Sequence, residues 1–230
     1  KFIPVSGVSM NILDIIGPVM IGPSSSHTAG ACRLGLLARG ILGQEPMAAE
    51  LLLHGSFART YRGHGTDLAL LAGLMGWLPD DIRIPKAKEF AAAAKLQYEF
   101  ETVNLGELVH PNTVRFRLTG KEGAHCQVTG SSIGGGQVLV SAIDGTPVEL
   151  TGKLPTLLVP HKDQPGVIAQ VSSVLATHGV NIASMRVFRD NKGGRASMVL
   201  ECDQALTPDM LAHVAEIEAV TAVRFIDRVL

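Results

Sequence analysis

Residues 163–182 read DQPGVIAQVSSVLATHGVNI, and the spacing in this stretch decides the C-terminal fold. Val167, Val171, Val174 and Leu175 recur at helical intervals between Pro165 and Gly179. That is one apolar helix face, entered after a proline and left at a glycine that tolerates the left-handed conformation. Upstream, 156–159 is a short β-rich run. Downstream, 182–188 and 196–202 read as two strands joined across Asp190-Asn-Lys-Gly-Gly194, a hairpin signal. Thr207 and Pro208 then open a second helix whose apolar stripe is Met210, Leu211, Val214 and Ile217, and 221–229 closes as a strand. The order is βαββαβ, a ferredoxin-like arrangement.

Working outward toward the N-terminus, a Gly, Thr and Pro-containing connection at 144–154 marks the boundary, which divides the chain into domains 10–150 and 154–230. In the first of these, strands are expected at 97–103, 113–118, 124–129 and 137–143. Before them, the turn-rich stretch 17–30 admits no regular element in its middle and leads into a helix at 31–43 with Leu34, Leu37, Ala38 and Ile41 inward and Gly43 as C-cap. A short buried strand at 50–54, a loop at 55–65 and a helix at 67–76 with Thr66 as N-cap repeat the loop-then-helix pattern. Residues 1–9 have no clear period and receive no function; a natural start is expected near Met10. The class is α+β, a mixed α/β N-terminal domain followed by the βαββαβ unit.

With 230 residues, 46% hydrophobic, the chain has core material for two domains. Charged residues make up 18% and the net charge is −1, which leaves no electrostatic footprint for nucleic acid or an anionic membrane and favours small partners. No apolar run reaches the roughly 18–20 residues that span a bilayer, and the N-terminus lacks the order of a signal peptide, so the chain reads as cytoplasmic. Cys32, Cys126 and Cys202 are odd in number and far apart, with none of the close spacings of zinc or iron-sulfur ligation. They read as buried reduced thiols. No metal ligands are assigned to this chain.

The βαββαβ order, with Asp163-Gln-Pro-Gly166 before its first helix and His178-Gly-Val-Asn-Ile182 after it, resembles the ACT domain, a family of amino-acid-binding regulatory modules. The resemblance implies an effector site at a dimer interface built by Gly166, Val167, Asn181 and Ile182, and a homodimer through this module. Five segments of the other half, Asp14-Ile-Ile-Gly-Pro18, Gly22-Pro-Ser-Ser-Ser-His-Thr28, His54-Gly-Ser-Phe-Ala58, Gly63-His-Gly-Thr-Asp67 and Ser131-Ser-Ile-Gly-Gly-Gly136, together resemble the beta subunit of iron-sulfur L-serine dehydratases. That resemblance implies dehydration of L-serine to pyruvate and ammonia, with a [4Fe-4S] cluster carried by a catalytic alpha subunit rather than by this chain.

Such a reaction removes the α-proton and expels the β-hydroxyl, a poor leaving group unless a Lewis acid or general acid takes its charge. His27 and His64 each stand just ahead of an expected helix N-terminus, among Ser24, Ser25, Ser26, Thr28 and Thr66. That concentrates N–H and O–H donors where a substrate carboxylate can be clamped, and a positive helix end favours neutral imidazole. Asp67 either bonds an imidazole or complements the helix dipole. The division of roles between the histidines stays open. The Gly-rich segment 131–136 raises a pyridoxal-phosphate lyase as a competitor, but no strand-loop-helix context follows it and a turn or close backbone approach is the expected use. A stand-alone amino-acid-binding regulator is the alternative from a different class.

Overall fold

The computed structural model describes residues 19–230. The segment 14–18 lies outside them. The first helical element begins as a π-helical turn, Ser25–Ala29, and runs on without a break as α1, Gly30–Leu42. Strand β1 (Pro46–Leu53), α2 (Gly55–Thr60), α3 (Thr66–Leu74), a 3-10 turn at Ile84–Lys86, α4 (Ala87–Ala93) and β2 (Gln97–Thr102) follow. Strands β3 (Thr113–Gly120), β4 (His125–Gly134), β5 (Gln137–Ile143) and β6 (Thr146–Leu150) complete a six-stranded sheet of order β2-β1-β3-β4-β5-β6, with only β1 and β2 parallel.

The sheet has one apolar and one polar face because its strands alternate. Val114, Phe116 and Leu118 of β3 point into the core, while Arg115, Arg117 and Thr119 between them are partly or fully exposed. Helices α1 and α3 cover the apolar face, α1 through Leu34, Leu37, Ala38 and Ile41 as its spacing requires.

These two helices meet backbone to backbone. A Cβ added at Gly35 would stand 2.6 Å from Leu70 O and 2.9 Å from Gly73 Cα, and one added at Gly73 would stand 2.0 Å from Cys32 O. Glycine is required at both positions by the other helix's main chain.

The second unit comprises β7 (Thr156–Lys162), α5 (Val167–Thr177), β8 (Ile182–Arg189), β9 (Arg195–Cys202), α6 (Pro208–Ala215) and β10 (Arg224–Ile226), with an antiparallel sheet ordered β10-β7-β9-β8. This is the βαββαβ order the spacing predicts. Leu157, Val159, Met198 and Leu200 face α5 and α6; Leu158, Val199 and Ile226 point the other way and belong to the core of the first unit. Gly40 and Gly43 of the α1 end lie against Ile226 and Arg224 of β10.

Several expectations change in the structure. The turn-rich stretch 17–30 is helical from Ser25 onward, because Ser24 caps it by accepting from His27 N at 3.3 Å. Thr66 is not an N-cap: Gly65, at φ +66, holds that place, and the Thr66 hydroxyl is buried without a partner. The loop expected at 55–65 contains α2, whose first turn donates from Ser56 N to Pro111 O at 2.7 Å. The connection at 144–154 contains β6, since Asp144 and Gly145, at φ +50 and +81, form a tight hairpin turn rather than a linker. Helix α4 has no counterpart in the expected elements, and the closing strand shortens to Arg224–Ile226.

Because the clash at position 73 is with main chain, no rotamer change relieves it. Gly73→Ala is expected to destabilise the chain by at least about 2 kcal/mol, overriding the roughly 1 kcal/mol by which alanine favours a helix over glycine. Gly63→Ala is the control, since its Cβ would meet nothing nearer than 3.8 Å. Urea unfolding midpoints of the two variants check this; equal midpoints would show that the helices can separate without cost.

Candidate functional site

The parallel run of α1 and α3 from their glycine crossing brings their N-terminal ends together, and with them the two histidines. The His27 and His64 rings lie 4.8 Å apart, centroid to centroid, at 47°. Phe57 of α2 packs edge-on to His27 at 5.4 Å and supplies an apolar wall. His27 Nε2 is 3.1 Å from Ser56 Oγ, and Nδ1 is 3.4 Å from Ser24 Oγ, the oxygen that already accepts from His27 N. The two serine hydroxyls flank the ring, one at each nitrogen, and satisfy both ring nitrogens in either neutral tautomer. Burial, and then the neighbouring His64, lower the His27 pKa below its ordinary 6.5, so its imidazole is held neutral.

The surrounding groups close a ring. Thr28, buried, donates from Oγ1 to His64 O at 3.5 Å. Ser132 N donates to Asn112 O at 2.9 Å, and Pro111 just before it accepts from Ser56 N. A Cβ on Gly30 would stand 2.1 Å from Ser132 Oγ, which is how closely the start of α1 approaches β4. Segment 131–136 is therefore the end of a strand and a hairpin turn, close to another backbone. Within this ring His64 Nδ1, Thr66 Oγ1, Ser132 Oγ and Asn112 Oδ1 are buried without hydrogen-bond partners. Each such group costs about 1–3 kcal/mol unless something satisfies it. Their concentration at one end of the fold marks a place built to receive a polar partner.

The two helix ends differ electrically. The first turn of α3 contains Asp67, buried and paired with Lys88 at 2.6 Å, so that N-terminus is already compensated and the carboxylate serves no imidazole. The α1 end has no acidic residue in its first turn. Ser25 and Ser26 sit there half-buried, where the first N–H groups have no intrahelical acceptor, so the positive end of this helix is left uncompensated. Ser56, Asn112 and Ser132 are site residues that motif reading did not single out. The His54-Gly-Ser-Phe-Ala58 and Ser131–Gly136 segments held two of them, but their contacts with the α1 end arise only in the fold.

A surface recess of about 650 Å³ lies on the solvent-facing side of the first sheet among Glu50, Arg117 and Gln127, and contains neither histidine. The three thiols are buried on α1, β4 and β9, and burial pushes their pKa up to about 12, 12 and 11, so as free thiols they stay protonated.

In the second unit Gly166, at φ +91, precedes α5 with nothing within 4 Å of its Cβ position. Val167 points into the core, so only its main chain is available to a ligand. Asn181, exposed, donates to Asp203 at 2.6 Å, and Ile182 packs partly against the same core. Gly166 and Asn181 stand at opposite ends of α5, whose 11 residues span roughly 16 Å, so one copy does not bring them together. No helix among the described residues is long and apolar enough to cross a membrane.

Comparison with known proteins matches residues 11–108 to the serine dehydratase beta chain family and 156–219 to the ACT domain family. The L-serine dehydratase beta chain of Peptoniphilus asaccharolyticus is 39% identical over 93% of this chain and 96% of its own length. The probable L-serine dehydratase beta chain of Bacillus subtilis is 42% identical over 90% and 93%. A D-3-phosphoglycerate dehydrogenase of Synechocystis is 28% identical over 52% of this chain but only 22% of its own length. The first two matches run through both halves, which leaves the stand-alone regulator without support. This chain belongs to the beta chains of the L-serine dehydratase family, with an ACT module at its C-terminal end.

Proposed function

We propose that the chain supplies the proton-transfer and carboxylate-binding half of an L-serine dehydratase site, completed by an alpha subunit that carries a [4Fe-4S] cluster. The observation that carries this reading is the His27–His64 pair, 4.8 Å apart, with His64 Nδ1 and three neighbouring polar atoms buried without partners. The α1 N-terminus, with Ser24, Ser25, Ser26 and Thr28, seats the substrate carboxylate. A neutral imidazole of the pair takes the α-proton, and Ser24 and Ser56 hold the His27 ring in place. Phe57 keeps water from one side of that ring. Thr66 and Ser132 offer hydroxyls to the substrate or to the partner's surface, while Asp67 and Lys88 fix the start of α3. The three cysteines stand far apart in sequence on three separate elements, so cluster ligation, and with it departure of the β-hydroxyl, falls to the partner.

In the reconstituted two-subunit enzyme, His27→Ala is expected to lower serine turnover by about 100-fold, the scale of a lost acid-base group, with little change in this chain's melting temperature. Unchanged turnover would return His27 to a loop-supporting role.

The isolated chain is expected to hold no stable cluster and to leave serine intact after anaerobic reconstitution with iron and sulfide. A stoichiometric cluster, or pyruvate formed without the second subunit, would overturn the division of labour.

The ACT module is proposed to join two copies and to form the effector site between them. Strand β8 lies at a sheet edge and exposes Met185 and Val187, and the opposed positions of Gly166 and Asn181 require a second copy to complete one site. Sedimentation should therefore show a dimer, and millimolar L-serine should raise the melting temperature by mass action. Gly166→Val should abolish the rise, because valine is strained at this backbone angle and fills the helix entry. A dimer that gives no heat on serine titration would leave the module as an assembly device alone.

A further inference from the structure

Away from the histidine pair, a second group of ligand-type side chains converges on the outer layer of the ACT module. His178 ends α5, and Asp209 and His213 lie one turn apart on α6. One ligand atom from each lies within 4.8 Å of the others. His178 Nε2 is 3.6 Å and His213 Nδ1 is 3.7 Å from the same Asp209 Oδ2, and the two rings are 5.2 Å apart.

The protonation of His178 decides what this cluster wants. Its Nδ1 is 2.9 Å from the Val174 carbonyl oxygen, which can only accept, so Nδ1 carries the hydrogen. A neutral ring then turns the lone pair of Nε2 toward a carboxylate oxygen. Two acceptors face each other, and a metal ion between them would satisfy both. A ring N–H anchored to a backbone carbonyl is also the support that metal-binding histidines commonly have. Donors of a tetrahedral Zn2+ at about 2.0–2.1 Å from the ion stand about 3.4 Å apart, close to the two His–Asp separations found. We propose that His178 Nε2, His213 Nδ1 and the Asp209 carboxylate bind one Zn2+, with water in the fourth position. The site opens on a recess of about 350 Å³ shared with Ser173, Thr177 and Glu216. Helix α6 is eight residues long with Val214 its only fully buried side chain, so the ion ties a lightly anchored helix to the end of α5.

The test uses the full, untagged, chelator-stripped chain, in wild-type form and in a His27→Ala/His64→Ala background that removes the other imidazole pair. Calorimetry should show one Zn2+ per chain in both, with a raised melting temperature, and Co2+ should give the intense visible absorption of four-coordination. Asp209→Asn and His213→Ala should each weaken Zn2+ binding by at least about tenfold, while His125→Ala leaves it unchanged. Asp209 and His213 are exposed, and metal-free melting curves of their variants confirm that they fold. No Zn2+ binding in the double-alanine background, or binding indifferent to Asp209→Asn and His213→Ala, would overturn this site.

Discussion

The contact between Gly35 and Gly73 governs the candidate site. Two helices normally keep their axes about 8–10 Å apart because side chains fill the seam. Here the seam is main chain against main chain, and the closer approach carries through to the N-terminal ends, eight and nine residues away from the crossing, where His27 and His64 stand. Neither histidine is positioned by its own loop alone. His27 lies in the first turn of the α1 element and His64 in the turn just ahead of α3, and because the two helices are locked together both stand on a rigid support, which is what a proton-transfer geometry needs.

Polar accounting separates the working end of the fold from the rest. The outer face of the first sheet is rich in satisfied side-chain pairs such as Arg117 with Glu50 and Gln127. At the joint helix ends, by contrast, hydroxyl, amide and imidazole atoms are taken out of water without partners. A fold retains such groups against their desolvation cost when another molecule supplies the missing bonds. In the proposed function, the asymmetry between the compensated α3 terminus and the uncompensated α1 terminus orients the substrate, acid group toward Ser24–Thr28.

What was legible in the sequence follows from whether the signal was local. The ACT module was readable almost element by element, because its helices bury one apolar stripe and its central strands are apolar runs bounded by turn residues. In the N-terminal half α1 was equally plain from Leu34, Leu37, Ala38 and Ile41. Buried on nearly every side, α3 has no one-sided stripe, and its capping was misplaced by one residue. The Asp144-Gly145 turn was visible but read as a boundary, since a dipeptide of this kind does not say whether the strands on either side pair. His27 and His64 were found as loop positions, yet Ser56 was missed because its bond to His27 spans 29 residues of chain. The pairing of Asp67 with Lys88 was hidden for the same reason.

Helix α1 is shared property. Its first turn forms the histidine site, while Gly40 and Gly43 near its other end touch β10, and Leu158, Val199 and Ile226 of the second sheet complete the core it packs in. The two sequence modules are therefore not two separable bodies. A gene fragment ending after β6 would encode every strand of the first sheet and still leave the lower half of α1 uncovered, with an oily surface where its neighbour belongs. Recombination that exchanged one ACT module for another would have to carry over matching residues on β10, which ties the inheritance of the regulatory half to that of the half holding the histidines.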